Sequence, residues 1–441
     1  MTAPGPLATS APPVSPPGSG PSRLRVGPGL SLGFGAAVVM WAGAYLLRLP
    51  FSHRPASAPD AWLLFALFVL CYLGAGFRAG REDPAGWLAG ARTGAVTGTV
   101  NLLVLLGLLW KEAGSTAWAW IPGSLLCGAS LGALGGALGR ASSGQASGGP
   151  APRDWTPTLT RVLVLATLAL IPVGGFVTSH DAGLAVPDWP ATYGANMFLY
   201  PISRMSGGIY FEHAHRLIGA LVGLTTLVTG VMVALGPASR PVRALALGLI
   251  PLVIGQGVMG GLRVTETSTA LAIVHGTFGQ VFLALTGALA AGTSLAWTGG
   301  GPAAPHEAAA ADRALSAWTV GLVLCQLVLG ALTRHLSEID SLVVLHITLA
   351  VVVLVVAIAC GVRAWGLHPD LPPLRRAGLG LTHVVALQLL LGITALVARE
   401  TRASWEALAT TVHQTTGAVI LLLALQVFLW QRRLVAHPGP V

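Results

Sequence analysis

Twelve stretches of mostly apolar residues recur along the chain, at roughly 30–49, 60–78, 88–110, 117–139, 160–178, 211–235, 242–262, 270–296, 314–333, 341–362, 376–397 and 409–431. Each is close to the about 20 residues that an α-helix needs to cross the hydrocarbon of a bilayer. Leu, Ala and Gly fill them without strict alternation, which predicts helices rather than the strands of a membrane barrel. The expected fold is therefore an all-α polytopic membrane protein of about twelve transmembrane helices. Composition agrees: 54% of residues are hydrophobic and 9% charged, with a mean hydropathy of +0.72, which excludes a soluble domain on a single anchor. The net charge of +9 reads as topology, not as a nucleic-acid surface. Arg23, Arg25, Arg78, Arg81, Arg140, Arg432 and Arg433 share the side that carries more basic residues, so both termini are predicted to be cytoplasmic. The four cysteines (Cys71, Cys127, Cys325, Cys360) fall inside predicted helices and behave as small apolar residues, with no disulfide expected.

The breaks between runs divide the chain. Residues 1–28, rich in Pro, Ser, Gly and Ala, read as a disordered cytoplasmic tail. Residues 29–140 form a four-helix membrane region with Arg92 and Asn101 as its main polar features, best read as a packing or interaction module. A Ser/Gly/Pro-rich linker spans 141–157. The last eight helices look duplicated, as 158–298 and 313–434 joined by the linker 299–312, and predict two pseudo-symmetric four-helix bundles. The first helices of the two halves end alike, Gly175 to His180 against Gly330 to His335, and the third helices share Gln256/Gly260 and Gln388/Gly392.

Chemistry concentrates at Phe211-Glu212-His213-Ala214-His215-Arg216-Leu217-Ile218-Gly219. Ionisable groups at the edge of hydrocarbon are seldom kept without a partner. On a helix Glu212 and His215 share a face, whereas His213 and His215 diverge by about 200°. His215 is taken as the inward one, because Gly219 one turn above it leaves room for a flat ligand. A histidine near the start of an apolar helix with a small residue four later recurs at His275/Gly279, His346/Ala350 and His413/Gly417. A lone histidine of this kind is most often a hydrogen-bonded core residue. Four of them, in matched pairs at one depth, fit bis-histidine haem sites between helices, His215 with His275 and His346 with His413. Arg216, Arg263, Arg334 and Arg399 lie at that depth, and guanidinium forks suit haem propionates. His53, His306, His368 and His437 fall in loops or tails and are expected to be solvated, His383 to be structural, and His180 and His335 to end helices at the outer surface. The outer loop of about 179–209, with Trp189 between two prolines, reads as a lid at the membrane interface.

With Gly183-Leu184, then Pro187-Asp188-Trp189-Pro190, then Glu212-x-x-His215-Arg216, the later histidines and the Gln-x-x-x-Gly helices, the chain resembles haem A synthase over about 158–432. The resemblance implies an oxidoreductase of the cell inner (cytoplasmic) membrane that converts the C8 methyl of haem O, through an alcohol, to the formyl group of haem A for terminal oxidases. It implies a permanent haem b on His346 and His413, with haem O as substrate and haem A as product at His215 and His275, and Glu212 as the catalytic carboxylate. Arg216, Arg334 and Arg399 are carried along as cofactor contacts. The pathway implies haem O synthase and oxidase assembly factors as partners, beside membrane lipid and the haem O substrate, and no nucleic acid. Where many members of that family carry a cysteine pair around Asp-Trp-Pro, this chain has Val186 and Thr192. The four N-terminal helices lie outside the family pattern. Two other readings share the paired histidines: a di-haem b-type cytochrome that only transfers electrons, and a haem transporter or chaperone.

Overall fold

The computed structural model describes residues 25–113, 117–143, 153–200, 204–301 and 303–437. Most of the expected N-terminal tail, and residues 144–152 of the first expected linker, lie outside the described residues. Thirteen helices follow in order: α1 (Pro28–Arg48), α2 (Ala58–Glu82), α3 (Trp87–Ala113), α4 (Ala117–Ser142), α5 (Thr156–Ser179), α6 (Gly208–Leu235), α7 (Arg240–Thr265), α8 (Thr269–Gly292), the short α9 (Leu295–Thr298), α10 (Ala309–His335), α11 (Asp340–Gly366), α12 (Pro372–Glu400) and α13 (Glu406–Leu434). Among the described residues, eleven helices are long and apolar enough to cross a membrane. The twelfth long helix, α3, shares their length and carries Arg92, Thr93, Thr97 and Asn101 among its apolar residues. The protein is an all-α, multi-pass membrane protein. A proline in the first turn opens α1, α2, α5, α7 and α12, where its missing N–H costs nothing and its fixed φ suits the helix. At α2 the Ser57 amide and hydroxyl both donate to Asp60 Oδ2, at 2.8 and 2.9 Å, closing a capping box.

Helices α2, α3 and α4 pack backbone to backbone. A side chain at Gly76 or Gly80 of α2 would run into the carbonyls of Gly132 or Gly136 on α4, and Gly90 and Gly94 of α3 meet the same helix. Such close approach is how helices associate where lipid removes the hydrophobic drive between them. Asn101, the main polar residue here, is spent on the packing: it accepts from Trp41 Nε1 at 3.0 Å and its amide lies 3.3 Å from the Tyr72 hydroxyl. Helix α1 carries this region onto the next bundle. Tyr45 stacks on Tyr210 of α6 with ring centroids 5.3 Å apart, and the Gly207 amide donates to the Ser52 carbonyl at 2.7 Å.

Helices α5–α8 surround one apolar core that includes Leu163, Leu221 and Leu249. Helices α10–α13 surround a second, with Ala357, Leu381 and Val427. The two bundles meet where α5 and α8 pack on α13 and α10, through Ile171, Leu283 and Ala418. At one end Arg334 of α10 donates to Ser179 Oγ of α5 at 2.6 Å, and Ser179 also lies 3.1 Å from Thr411 Oγ1 of α13. At the other end the segment between the bundles forms α9 and a two-residue strand, Ala304–Pro305, paired in parallel with Val435–Ala436.

Candidate paired-histidine site

Helices α6, α8, α11 and α13 all begin at the same end, and each presents one histidine about two turns from its start. His215 and His275 face each other with ring centroids 6.2 Å apart and planes at 90°. His346 and His413 repeat the arrangement at 6.3 Å and 79°. One metal ion between two imidazoles, at about 2.0–2.1 Å from each nitrogen, places the centroids about 6.4 Å apart. Both pairs therefore have the spacing that a shared iron requires. The Nδ1 atoms of His215, His275 and His413 are buried without a hydrogen-bond partner. A neutral buried imidazole normally satisfies that nitrogen, so these three rings lack the local partner that Gln326 Nε2, 3.1 Å from Nδ1, gives His346.

Each of the four rings lies close against a glycine. A Cβ at Gly174 on α5 would lie 3.0 Å from Cε1 of His215, and the same contact recurs at Gly260 on α7 against His275 (3.0 Å), Gly330 on α10 against His346 (3.1 Å) and Gly392 on α12 against His413 (3.0 Å). Four histidines thus sit on four glycines of the preceding helices, one pair of helices per ring. Sequence comparison of the halves aligned Gly175 with Gly330; the structure matches Gly330 with Gly174, one residue earlier. Three of the four glycines follow a glutamine by one turn. Gln326 Nε2 donates to the His346 carbonyl at 2.9 Å and Gln388 Nε2 to that of His413 at 3.0 Å, while Gln256 Nε2 and Oε1 are buried without partners. On α5 the equivalent position is Leu170. The small residues four after each histidine also differ. A Cβ at Gly219 meets nothing within 4 Å, whereas at Gly417 it meets Leu327 at 3.1 Å.

The carboxylate expected beside the first pair is present and is tightly held. Glu212 is 3% exposed; its Oε2 accepts the Val186 amide at 2.9 Å and its Oε1 accepts Arg216 Nη2 at 2.6 Å. Arg216 also donates to the carbonyls of Val186 (2.8 Å), Asp188 (2.7 Å) and Ala191 (2.9 Å). Its fork is thus used on the outer loop, not directed at an anionic cofactor group as the sequence suggested. Arg263 likewise donates to the Gly183 carbonyl at 3.2 Å. Arg334 keeps Nε buried and unpartnered beside its bond to Ser179, and Arg399 is half-buried at the end of α12. His213, which points away from His215, is 1% exposed and approaches Thr192 Oγ1 at 3.4 Å.

The loop after α5 is a cover built on these bonds. Val186 and Thr192, both fully buried, flank Asp188-Trp189-Pro190 and tie it to Glu212 and His213 of α6. Between them the Trp189 ring lies against Gly261 of α7, next to the glycine that supports His275. Asp188 accepts the amides of Tyr193 (2.8 Å) and Gly194 (2.7 Å), closing the short hairpin of Ala191–Thr192 with Ala195–Asn196. Burial pushes the Asp188 carboxyl up, but the amides of Gly194, Tyr193 and Asp188 itself, with the charge of Arg216, outweigh it and leave the pKa below its ordinary value.

Residues 157–341 match the COX15-CtaA family of cytochrome oxidase assembly proteins. No curated protein and no solved structure matches the chain. The segment matched by the COX15-CtaA family holds Glu212, His215, Arg216, His275 and Arg334. It ends before His346, so the second pair is joined to the first by the repeated fold rather than by that match.

The remaining histidines divide. His53 and His437 are exposed, as expected of loops. His383 is exposed on α12 with Nδ1 2.8 Å from the Leu379 carbonyl, and His180 stacks on Phe211 at 4.0 Å, so both have structural work. His306 and His368 were expected to be solvated and are not. His306 is half-buried and His368 is 6% exposed, because the segment between the bundles folds over the turn between α11 and α12.

Proposed function

We propose that the chain is a haem A synthase. It takes haem O between His215 and His275 and converts the C8 methyl, through the alcohol, to the formyl group of haem A, a four-electron oxidation that draws on an external electron acceptor and an external source of one oxygen atom, while His346 and His413 hold a haem b. One observation carries this reading: two imidazole pairs of equal spacing differ in that only the first has a buried carboxylate, Glu212, one turn from its histidine. The COX15-CtaA match over that half supports it. A haem b bound at the second pair supplies one-electron transfer.

In this reading His215 and His275 orient the substrate, and the open space at Gly219 accepts the flank of a flat macrocycle. Glu212 acts as a fixed negative charge. Both of its oxygens already accept hydrogen bonds, so it is better arranged to stabilise positive charge developing at the methyl group than to carry a proton through the site. Trp189 and the loop around it exclude water from the site. Arg334 and Arg399 remain the candidates for the propionates of the second haem. The histidine end is assigned to the outer side of the cell inner membrane, with both termini cytoplasmic, from the distribution of arginine.

The near-identity of the two pairs favours one other reading, a di-haem b-type cytochrome. Co-expression with a haem O producer, followed by chromatography of the extracted haems, separates the two. The synthase yields haem A beside haem B, His215→Ala keeps haem B and loses haem A, and His346→Ala loses haem B. Haem B alone in the wild type, with a lower content in both variants, overturns the synthase and supports the cytochrome.

A further inference from the structure

At the end of the molecule opposite the paired histidines, three metal-ligating side chains converge from three separate elements. Asp312 lies in the first turn of α10, His368 in the turn between α11 and α12, and His306 directly after the strand Ala304–Pro305 in the segment joining the bundles. One ring nitrogen of each histidine and one oxygen of Asp312 lie within 4.8 Å of one another. Asp312 is 1% exposed and His368 6%, and Asp312 Oδ2 and His368 Nε2 are both buried without a hydrogen-bond partner. They stand 3.5 Å apart. That is longer than a good hydrogen bond, but it is the separation of two donors on a tetrahedral ion with bonds of about 2.0–2.1 Å, which lie about 3.4 Å apart. Arg363 Nε donates to the other oxygen, Asp312 Oδ1, at 2.7 Å. It thereby fixes the carboxylate with Oδ2 free, as an outer partner of a metal ligand does.

We propose that Asp312, His368 and His306 bind a divalent transition ion of the zinc class, which staples the segment between the bundles to the second bundle. Two imidazoles and one carboxylate leave a fourth position for water and suit zinc better than calcium or magnesium, which prefer oxygen alone. His306 is the weakest of the three ligands. Its Nδ1 accepts the Ala308 amide at 3.1 Å, and coordination through that nitrogen turns this amide, at the half-buried start of α10, to water. The site is separate from the paired histidines, and nothing in it depends on their being haem ligands.

The test is metal analysis of the full-length, haem-loaded protein in detergent after dialysis against zinc and then against metal-free buffer. The wild type is expected to retain stoichiometric zinc, and His368→Gln to lose it. His306→Gln binds about tenfold more weakly, and Arg363→Gln likewise through loss of the outer partner. His383→Gln, whose ring is exposed and bonded within its own helix, retains the ion and shows that a histidine change alone does not strip it. Thermal unfolding followed with and without a chelator gives a second readout, with a lower Tm in chelator for the wild type and no change for His368→Gln. A wild type without zinc, a His306→Gln/His368→Gln double variant that still holds it, or loss of zinc in His383→Gln each overturns the proposal.

Discussion

At the level of single residues, the site depends on what is missing from four glycines as much as on what the histidines carry. A methyl at Gly260 or Gly392 would sit 3.0 Å from a histidine Cε1, tighter than ordinary contact, and a branched side chain has nowhere to go. Gly392→Val is therefore expected to cost about 1–3 kcal/mol through overpacking and to push His413 off its partner. On the proposed function, the measurement is loss of the low-spin haem spectrum from the second pair with the first pair intact. Glu212 and Arg216 make a different kind of demand. They are a buried pair, 2.6 Å apart with side chains 5% and 8% exposed, and removing one partner strands the other at a cost of about 3–5 kcal/mol. Arg216→Ala should thus lower the thermal stability of the detergent-solubilised protein sharply. Glu212→Gln keeps the shape and a weaker bond; it should fold, bind haem and fail to convert haem O to haem A. Normal conversion by that variant would leave the glutamate a structural role only. That Glu212 and His215 share a face of α6 was readable from their spacing of three. Gly260 and Gly392 stood out in the sequence through the glutamine one turn before each, but that they lie against histidines was not readable, because a glycine does not name its neighbour until the next helix is placed.

At the level of elements, the loop between α5 and α6 and the first turns of α6 behave as one unit. Trp189 against Gly261, Val186 against Glu212 and Thr192 against His213 fix the cover from three directions. Asp188 closes the hairpin at its tip, and its pKa lies below the ordinary carboxylate value. A group depressed in this way adds stability above its unfolded pKa and loses it as pH falls through its folded pKa. The hairpin is accordingly expected to stay closed through the ordinary carboxylate range and to open only below it. Amide hydrogen exchange of residues 188–194 measured across acid pH checks this, and Asp188→Asn should show the fast exchange already at neutral pH. Sequence marked this loop by its length and its Pro-Asp-Trp-Pro core. It could not show that Arg216 serves the loop, since a guanidinium at the right depth looks the same whether it meets a carbonyl or a propionate.

For the whole molecule, the N-terminal region is held by backbone contact and docks on the first bundle through Tyr45, Tyr210 and the Ser52–Gly207 bond. A Cβ at Gly136 would lie 2.7 Å from the Gly86 carbonyl oxygen and 2.9 Å from the Gly90 Cα, and backbone cannot move aside as a side chain can. Gly136→Leu should separate α3 from α4 and expose the region to protease, while the absorbance of haem in the histidine pairs changes little. A parallel loss of haem would make the region part of the site's support.

The apolar periodicity alone determined that the chain is a bundle of membrane helices, because a helix is the one open segment that satisfies its own backbone in lipid. Repetition within the sequence also determined which histidines recur at one depth. Tertiary structure decided the distance and angle at which the paired rings meet, that glycines on preceding helices lie against them, and that His306, Asp312 and His368 converge at the far end. Those facts depend on the crossing of helices distant in sequence, and no spacing along one chain encodes a crossing.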